Sequence, residues 1–120
     1  VRGHVTHSEL VDYRPMSSFL LPSPWYRGGV IVIGDAAHTT TPHLATGAGM
    51  AIEDAIVLAE TLAQGSSATL GRFMVRRFNR CRLVVETAIK LGEMEKDTSI
   101  PIAAHFELMT ATFRKLAEPI

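Results

Sequence analysis

Cysteine occurs once in the 120 residues, at Cys81, so the chain forms no internal disulfide and holds no CxxC metal or redox pair. Such sparing use fits a reducing cytoplasm, and Cys81 itself reads as a small buried hydrophobe. Net charge is missing as well. Twelve Lys and Arg balance 12 Asp and Glu, leaving no overall field to draw the chain toward nucleic acid or an acidic membrane. No apolar run approaches the roughly 18 residues of a membrane span. The start, Val1-Arg2-Gly3-His4, has neither an initiator Met nor the basic-then-apolar pattern of a leader, which predicts an internal boundary of a longer protein.

What is present is ordinary for a folded domain: 47% hydrophobic and 20% charged residues place the chain among globular proteins rather than disordered ones. Its length suits one domain and is short for a cofactor-dependent redox enzyme. Strands are expected at Val11-Asp12-Tyr13, Phe19-Leu20-Leu21 and Val30-Ile31-Val32-Ile33, separated by Pro15, Pro22, Pro24 and Gly28-Gly29. The last is a run of four β-branched residues without polar alternation, the pattern of a strand buried on both faces in a parallel sheet. No second such strand follows, so this one needs partners from elsewhere.

Helical spacing begins near Gly47 and runs to Gln64, with Ala48, Ile52, Ala55, Ala59 and Leu62 as the apolar stripe. Gly65-Ser66-Ser67 stops that helix and offers a capping serine to a second one, striped by Leu70, Met74, Phe78, Cys81, Val85, Ala88 and Leu91. A break at Asp97–Pro101 precedes a third helix to about Ala117, with Ile102, Phe106, Met109 and Phe113 on one face. The fold class expected is therefore an α/β parent fold, of which this stretch is mostly α-helical (three helices) with short N-terminal strands. A boundary is expected between residues 1–65 and a C-terminal helical region, 66–120.

The chemistry concentrates where the last strand ends. Gly34-Asp35-Ala36-Ala37-His38 is followed by Pro42, by Thr46-Gly47-Ala48-Gly49-Met50 and by a helix. Ligands collect beyond the carboxyl ends of strands in open α/β sheets, and a helix start presents unpaired N–H groups with roughly half a positive charge. Gly47 and Gly49 allow close approach to the backbone, and Asp35 is an acceptor suited to a hydroxyl of a sugar or sugar alcohol. The residues alone indicate a ligand site at a helix start and leave the ligand open; the plainer alternative is a set of turns with nothing bound.

Gly34-Asp35-Ala36-Ala37-His38, Pro42, Gly47-Ala48-Gly49-Met50 and Glu53-Asp54-Ala55 together resemble the GD motif of FAD-dependent aromatic-ring hydroxylases similar to p-hydroxybenzoate and salicylate hydroxylases. Residues 10 to 65 carry this resemblance, with Pro24-Trp25-Tyr26-Arg27-Gly28 adding to it. It implies that residues 1–65 form the C-terminal part of an FAD-binding domain. It also implies that Asp35 binds a ribityl hydroxyl, that Pro42 lies beside the isoalloxazine ring, and that the Gly34, Gly47, Ala48, Gly49 and Met50 backbone faces the flavin. The implied cosubstrates are NAD(P)H and O2, and the implied substrate is an aromatic small molecule.

Two departures from the family pattern stand out. Ala51 occupies a position where many members have Asn, and the family's N-terminal GxGxxG fingerprint and middle Asp-Gly motif do not occur. Without them the adenosine and pyrophosphate have no cradle. The chain alone is thus expected to bind FAD weakly or not at all, to be inactive, and to need the missing N-terminal FAD-binding region as partner. An unpaired apolar strand further predicts a homodimer or higher oligomer. The competing reading is a self-associating helical interaction module with a vestigial flavin loop.

The remaining polar groups read as structural. Asp35, His38 and His43 lack the ordered spacing of a zinc site, and His38 is expected to be a loop residue held by hydrogen bonds. Glu53-Asp54 reads as a pair of first-turn acids favouring the helix dipole. Arg72, Arg76, Arg77, Arg80 and Arg82 read as a solvated face or a contact for an acidic domain. Phe106, Met109 and Phe113 read as core or interface. No catalytic side chain and no metal ligand is assigned.

Overall fold

The computed structural model describes residues 7, 9, 11–65 and 68–120. Two short strands, β1 (Tyr26–Arg27) and β2 (Val30–Ile31), form an antiparallel hairpin with Tyr26 opposite Ile31 and Arg27 opposite Val30. Gly28-Gly29 makes the two-residue loop, and Gly28 has a φ of 58°, which a residue without a Cβ adopts freely. The Val32 N–H donates to the Trp25 carbonyl at 3.0 Å and prolongs the pairing.

The β-branched run is thus one arm of a hairpin, a correction to the strand buried on both faces. Val30 is 69% exposed and Ile31, Val32 and Ile33 are half-buried. Hydropathy alone cannot tell a strand with partners on both sides from one paired along a single edge. Phe19–Leu21 runs extended against the following loop, its Phe19 and Leu21 N–H groups donating to Thr39 and Ala37 carbonyls at 3.0 and 2.8 Å. Val11-Asp12-Tyr13 forms no strand and lies exposed.

Helices follow: α1 (Asp35–His38), a 3-10 turn at Pro42–Leu44, then α2 (Gly47–Ala63), α3 (Thr69–Met94) and α4 (Ile102–Leu116). The three long helices fall where the spacing predicts them, and the single turn α1 is additional. Ser66 and Ser67, expected to cap α3, lie outside the described residues; Ala68 stands at the N-cap position. Pro101, the last residue of the expected break, is the N-cap of α4. Among the described residues no helix is long and apolar enough to cross a membrane.

The core lies between the hairpin, α2 and α3. Trp25 is 2% exposed, donates its indole N–H to the Leu21 carbonyl at 2.7 Å and meets Phe73 edge-on at 6.4 Å between centroids. α3 buries Met74, Cys81, Val85, Ala88 and Leu91, the face its stripe predicts. α2 does not follow its stripe. It turns Met50, Asp54, Val57 and Thr61 inward and leaves Ala48, Ile52, Ala55, Ala59 and Leu62 exposed.

In α4, likewise, His105 and Thr112 are buried while Ile102, Phe106 and Phe113 face outward and Met109 is half-buried. The inward polar groups are satisfied locally: Thr61 and Thr112 hydroxyls donate to the Val57 and Leu108 carbonyls at 2.8 and 2.9 Å. A radius of gyration of 17.9 Å and extents of 62 × 34 × 20 Å describe an elongated body, since a compact domain of this length has about 14 Å.

Candidate functional site

Gly34 is where the hairpin gives way to the site. Its φ of 60° and ψ of −143° are open to glycine alone, and a Cβ there would sit 3.2 Å from the Ala51 Cβ. α2 therefore passes directly under the turn. The Gly34 carbonyl accepts N–H bonds from Ala37 and His38 at 2.8 and 2.9 Å, which winds the chain into α1. Asp35 opens that turn with its side chain exposed, and its own carbonyl accepts the Thr39 hydroxyl at 2.6 Å.

Pro42 starts the 3-10 turn, which closes when the Ala45 N–H, on a residue with φ of 52°, donates back to the Pro42 carbonyl at 2.9 Å. Thr46 follows as the N-cap of α2. Gly47 lies close against the loop, a Cβ there meeting the Thr40 Cγ2 at 3.3 Å, whereas nothing stands within 4 Å of a Cβ built on Gly49. The first N–H groups of a helix have no partner within it, so the Gly47, Ala48 and Gly49 amides point out of the helix start. The Met50 N–H is used within the helix, donating to the Thr46 carbonyl at 2.9 Å, and the Met50 side chain belongs to the core.

The structure thus brings Gly34, Asp35, Pro42, Gly47, Ala48 and Gly49 around one helix start, with Met50 supporting it from below. Thr46 Oγ1 is buried there and has no hydrogen-bond partner among the described residues. Free amides, an open Cβ position and an orphaned hydroxyl fit a planar anionic group such as a flavin seated against the backbone.

Beneath this surface lies a polar cluster that sequence reasoning places on the outside. Asp54 is wholly buried and its carboxylate accepts bonds from the Gly34 N–H at 2.8 Å, from His38 Nε2 at 2.6 Å and from Arg77 Nε at 2.7 Å, with a longer one from the Cys81 thiol at 3.9 Å. Arg77, also wholly buried, donates further to the Met50 carbonyl at 3.1 Å and to Glu53. Arg80 grips Glu53 with two bonds of 2.8 Å and donates to the Leu116 carbonyl at the end of α4.

Two acids and two arginines therefore balance, which compensates a desolvation cost of several kcal/mol per ion. Burial alone would raise the Asp54 carboxyl; the His38, Gly34 and Arg77 bonds outweigh it and hold it below the usual carboxylate range. The Arg80 hydrogen bond is the largest influence on Glu53 and holds it low as well.

Asp54 is thus an internal anchor for the Gly34 turn rather than a dipole-facing acid, and Arg77 and Arg80 are structural rather than part of a solvated face. A signal for Arg77 exists in the sequence: it lies three residues after Met74 and four before Cys81, inside the α3 core stripe. His38 ends α1 and is held by Asp54, with its ring 5.4 Å from that of Trp25. His38, Asp54 and Cys81 put ligand-type atoms within 4.8 Å of one another. The Arg77 guanidinium stands among them, 3.6 Å from Cys81 Sγ, and burial pushes the thiol up to about 12, so this is an ion-paired core with a protonated thiol. His43 stands apart, with Nδ1 2.6 Å from the Thr41 hydroxyl and its ring against Gly92, where a Cβ would come within 2.9 Å.

Curated relatives match part of this chain. YetM of Bacillus subtilis, which carries the designation FAD-dependent monooxygenase, is 48% identical over 62 residues, 52% of this chain and 17% of the relative. The 6-methylsalicylate 1-monooxygenase atA of Aspergillus terreus is 44% identical over 63 residues, 52% of this chain and 14% of the relative. The 2-heptyl-3-hydroxy-4(1H)-quinolone synthase of Pseudomonas aeruginosa is 39% identical over 85 residues, 68% of this chain and 22% of the relative. The chain spans less than a quarter of the length of these three relatives. No solved structure gives a significant match. The family described as FAD binding domain matches residues 6–89, which contain the hairpin, the Gly34–Asp35 turn, α2 and most of α3, and the chain belongs to that family.

Proposed function

We propose that this chain is one wall of the FAD site in a flavin-dependent monooxygenase that uses NAD(P)H and O2 to hydroxylate an aromatic ring. One observation carries the reading: the Gly34 turn, which carries the exposed Asp35, packs against Ala51 at the start of α2, where the first amides have no helical partner and nothing stands within 4 Å of a Cβ built on Gly49. The Asp35 carboxylate accepts a ribityl hydroxyl, Pro42 flanks the ring, and the positive end of α2 favours negative charge on the N1–C2 edge of the reduced flavin. A bound FAD supplies the redox chemistry, carrying reducing equivalents from NAD(P)H to O2; the residues named here orient it and set its electrostatics. The names of two relatives, a methylsalicylate monooxygenase and a quinolone synthase, support a ring-shaped substrate.

The chain by itself holds only this wall. The rest of the FAD-binding region supplies the adenosine and pyrophosphate contacts and covers the outward side of α2, where Ile52, Ile56 and Leu62 are 62, 51 and 58% exposed. The test is gel filtration of the purified chain after incubation with excess FAD, beside the complete protein. The chain is expected to emerge colourless and the complete protein yellow. Stoichiometric flavin retained by the chain alone would show that it is a complete site, and a colourless complete protein would overturn the FAD reading.

A further inference from the structure

α4 presents an apolar strip that no described residue covers. Ile102, Phe106 and Phe113 are 68, 62 and 42% exposed and stand four and seven residues apart, on one side of the helix. Beside the strip runs an open groove of about 380 Å³ lined by Phe106, Glu107, Thr110, Ala111 and Arg114. Glu107 and Arg114 are separated by two helical turns, about 10.5 Å along the axis. Neither makes an ion pair among the described residues.

The order of these residues is self-complementary. Laid antiparallel on a second copy of itself, with the two-fold axis passing Thr110, α4 sets Glu107 of each copy against Arg114 of the other. The same placement brings Phe106 opposite Phe113 of the other copy, because the midpoints of the two pairs straddle position 110, leaving each pair offset along the axis by one residue rise, about 1.5 Å, within side-chain reach. A parallel arrangement in register would instead oppose like charges. We propose that the occupant of this strip is a second copy of the chain, docked through α4 in an antiparallel, isologous contact.

Aromatic side chains then fill the grooves, and two equivalent Glu107–Arg114 pairs at the rim fix direction and register. α4 lies beyond the residues 6–89 matched by the FAD binding domain family, so the contact is independent of the flavin reading. A 15-residue helix is about 22 Å long, which places the interface toward the small end of specific contacts, below about 1,200 Å², and makes the dimer concentration-dependent.

Sedimentation equilibrium over a concentration series tests this, using the chain, Glu107→Arg, Arg114→Glu and the double exchange. Both positions are exposed, and unchanged helical circular dichroism confirms that each variant folds. The expected result is a monomer–dimer equilibrium weakened on the order of tenfold or more by either single reversal, since each opposes like charges twice. The double exchange restores it to within about threefold. A monomer throughout, association indifferent to the single reversals, or a double exchange that fails to recover would each overturn the proposal. Indifference would instead locate self-association on another face, such as the outward side of α2.

Discussion

Asp54 holds the Gly34 turn in place through a bond to the Gly34 amide, and it does so from a position without solvent access. Replacing it with Asn leaves Arg77 buried with Glu53 as its remaining carboxylate, which is expected to cost about 3 kcal/mol, the lower end for breaking a buried pair, and is read from a melting curve. A loss below about 1 kcal/mol, the range of a surface pair, would contradict this account. The acid limb carries a second signature. Asp54 and Glu53 are both depressed in the folded state, so the folded protein binds fewer protons than the unfolded chain. Their contribution is complete above the unfolded values near about 4 and is lost as pH falls through the lower folded values. Wild type is therefore expected to lose stability steeply below about pH 4, and Asp54→Asn less steeply.

At this scale the sequence showed the glycines and Asp35 clearly, because their motif is local. It hid the Asp54–Arg77 pair: the α3 stripe marks Arg77 as inward, but the carboxylate that neutralises it lies on another helix, 23 residues away.

The helices divide in the same way. α3 was legible because its face is packed from one end to the other, and hydrophobic spacing reports packing directly. α2 and α4 were legible in extent but not in orientation. Each carries apolar residues on its outer side, and the inner side of α2 includes Asp54 and Thr61, which its apolar stripe leaves out. The physical reason is that an apolar stripe marks a surface fit to be covered, and under the proposed reading α2 and α4 meet their partners outside this chain.

For α2 the account makes a direct prediction. Ile52→Lys and Leu62→Lys fall at exposed positions, so the melting temperature of the chain alone should move by no more than the equivalent of about 0.5 kcal/mol. The same substitutions in the complete protein should impair folding or FAD retention, by burying a charge against an apolar partner. Strong destabilisation of the chain alone would show that α2 packs the other way round.

The whole molecule is an elongated body with a well-packed core at the junction of the hairpin, α2 and α3, and that junction holds the helix start on which the proposed flavin wall rests. The most direct measurement is an equilibrium titration of FAD against the complete protein and its Gly49→Ala variant. Nothing lies within 4 Å of the added methyl group, and replacing a helical glycine with alanine generally stabilises by roughly 0.5–1 kcal/mol, so the fold should be unharmed or improved. If the Gly47–Gly49 backbone meets the flavin, the methyl group separates them, and the dissociation constant should rise on the order of tenfold, about 1.4 kcal/mol. FAD bound to Gly49→Ala as tightly as to wild type would place the cofactor elsewhere and contradict the account.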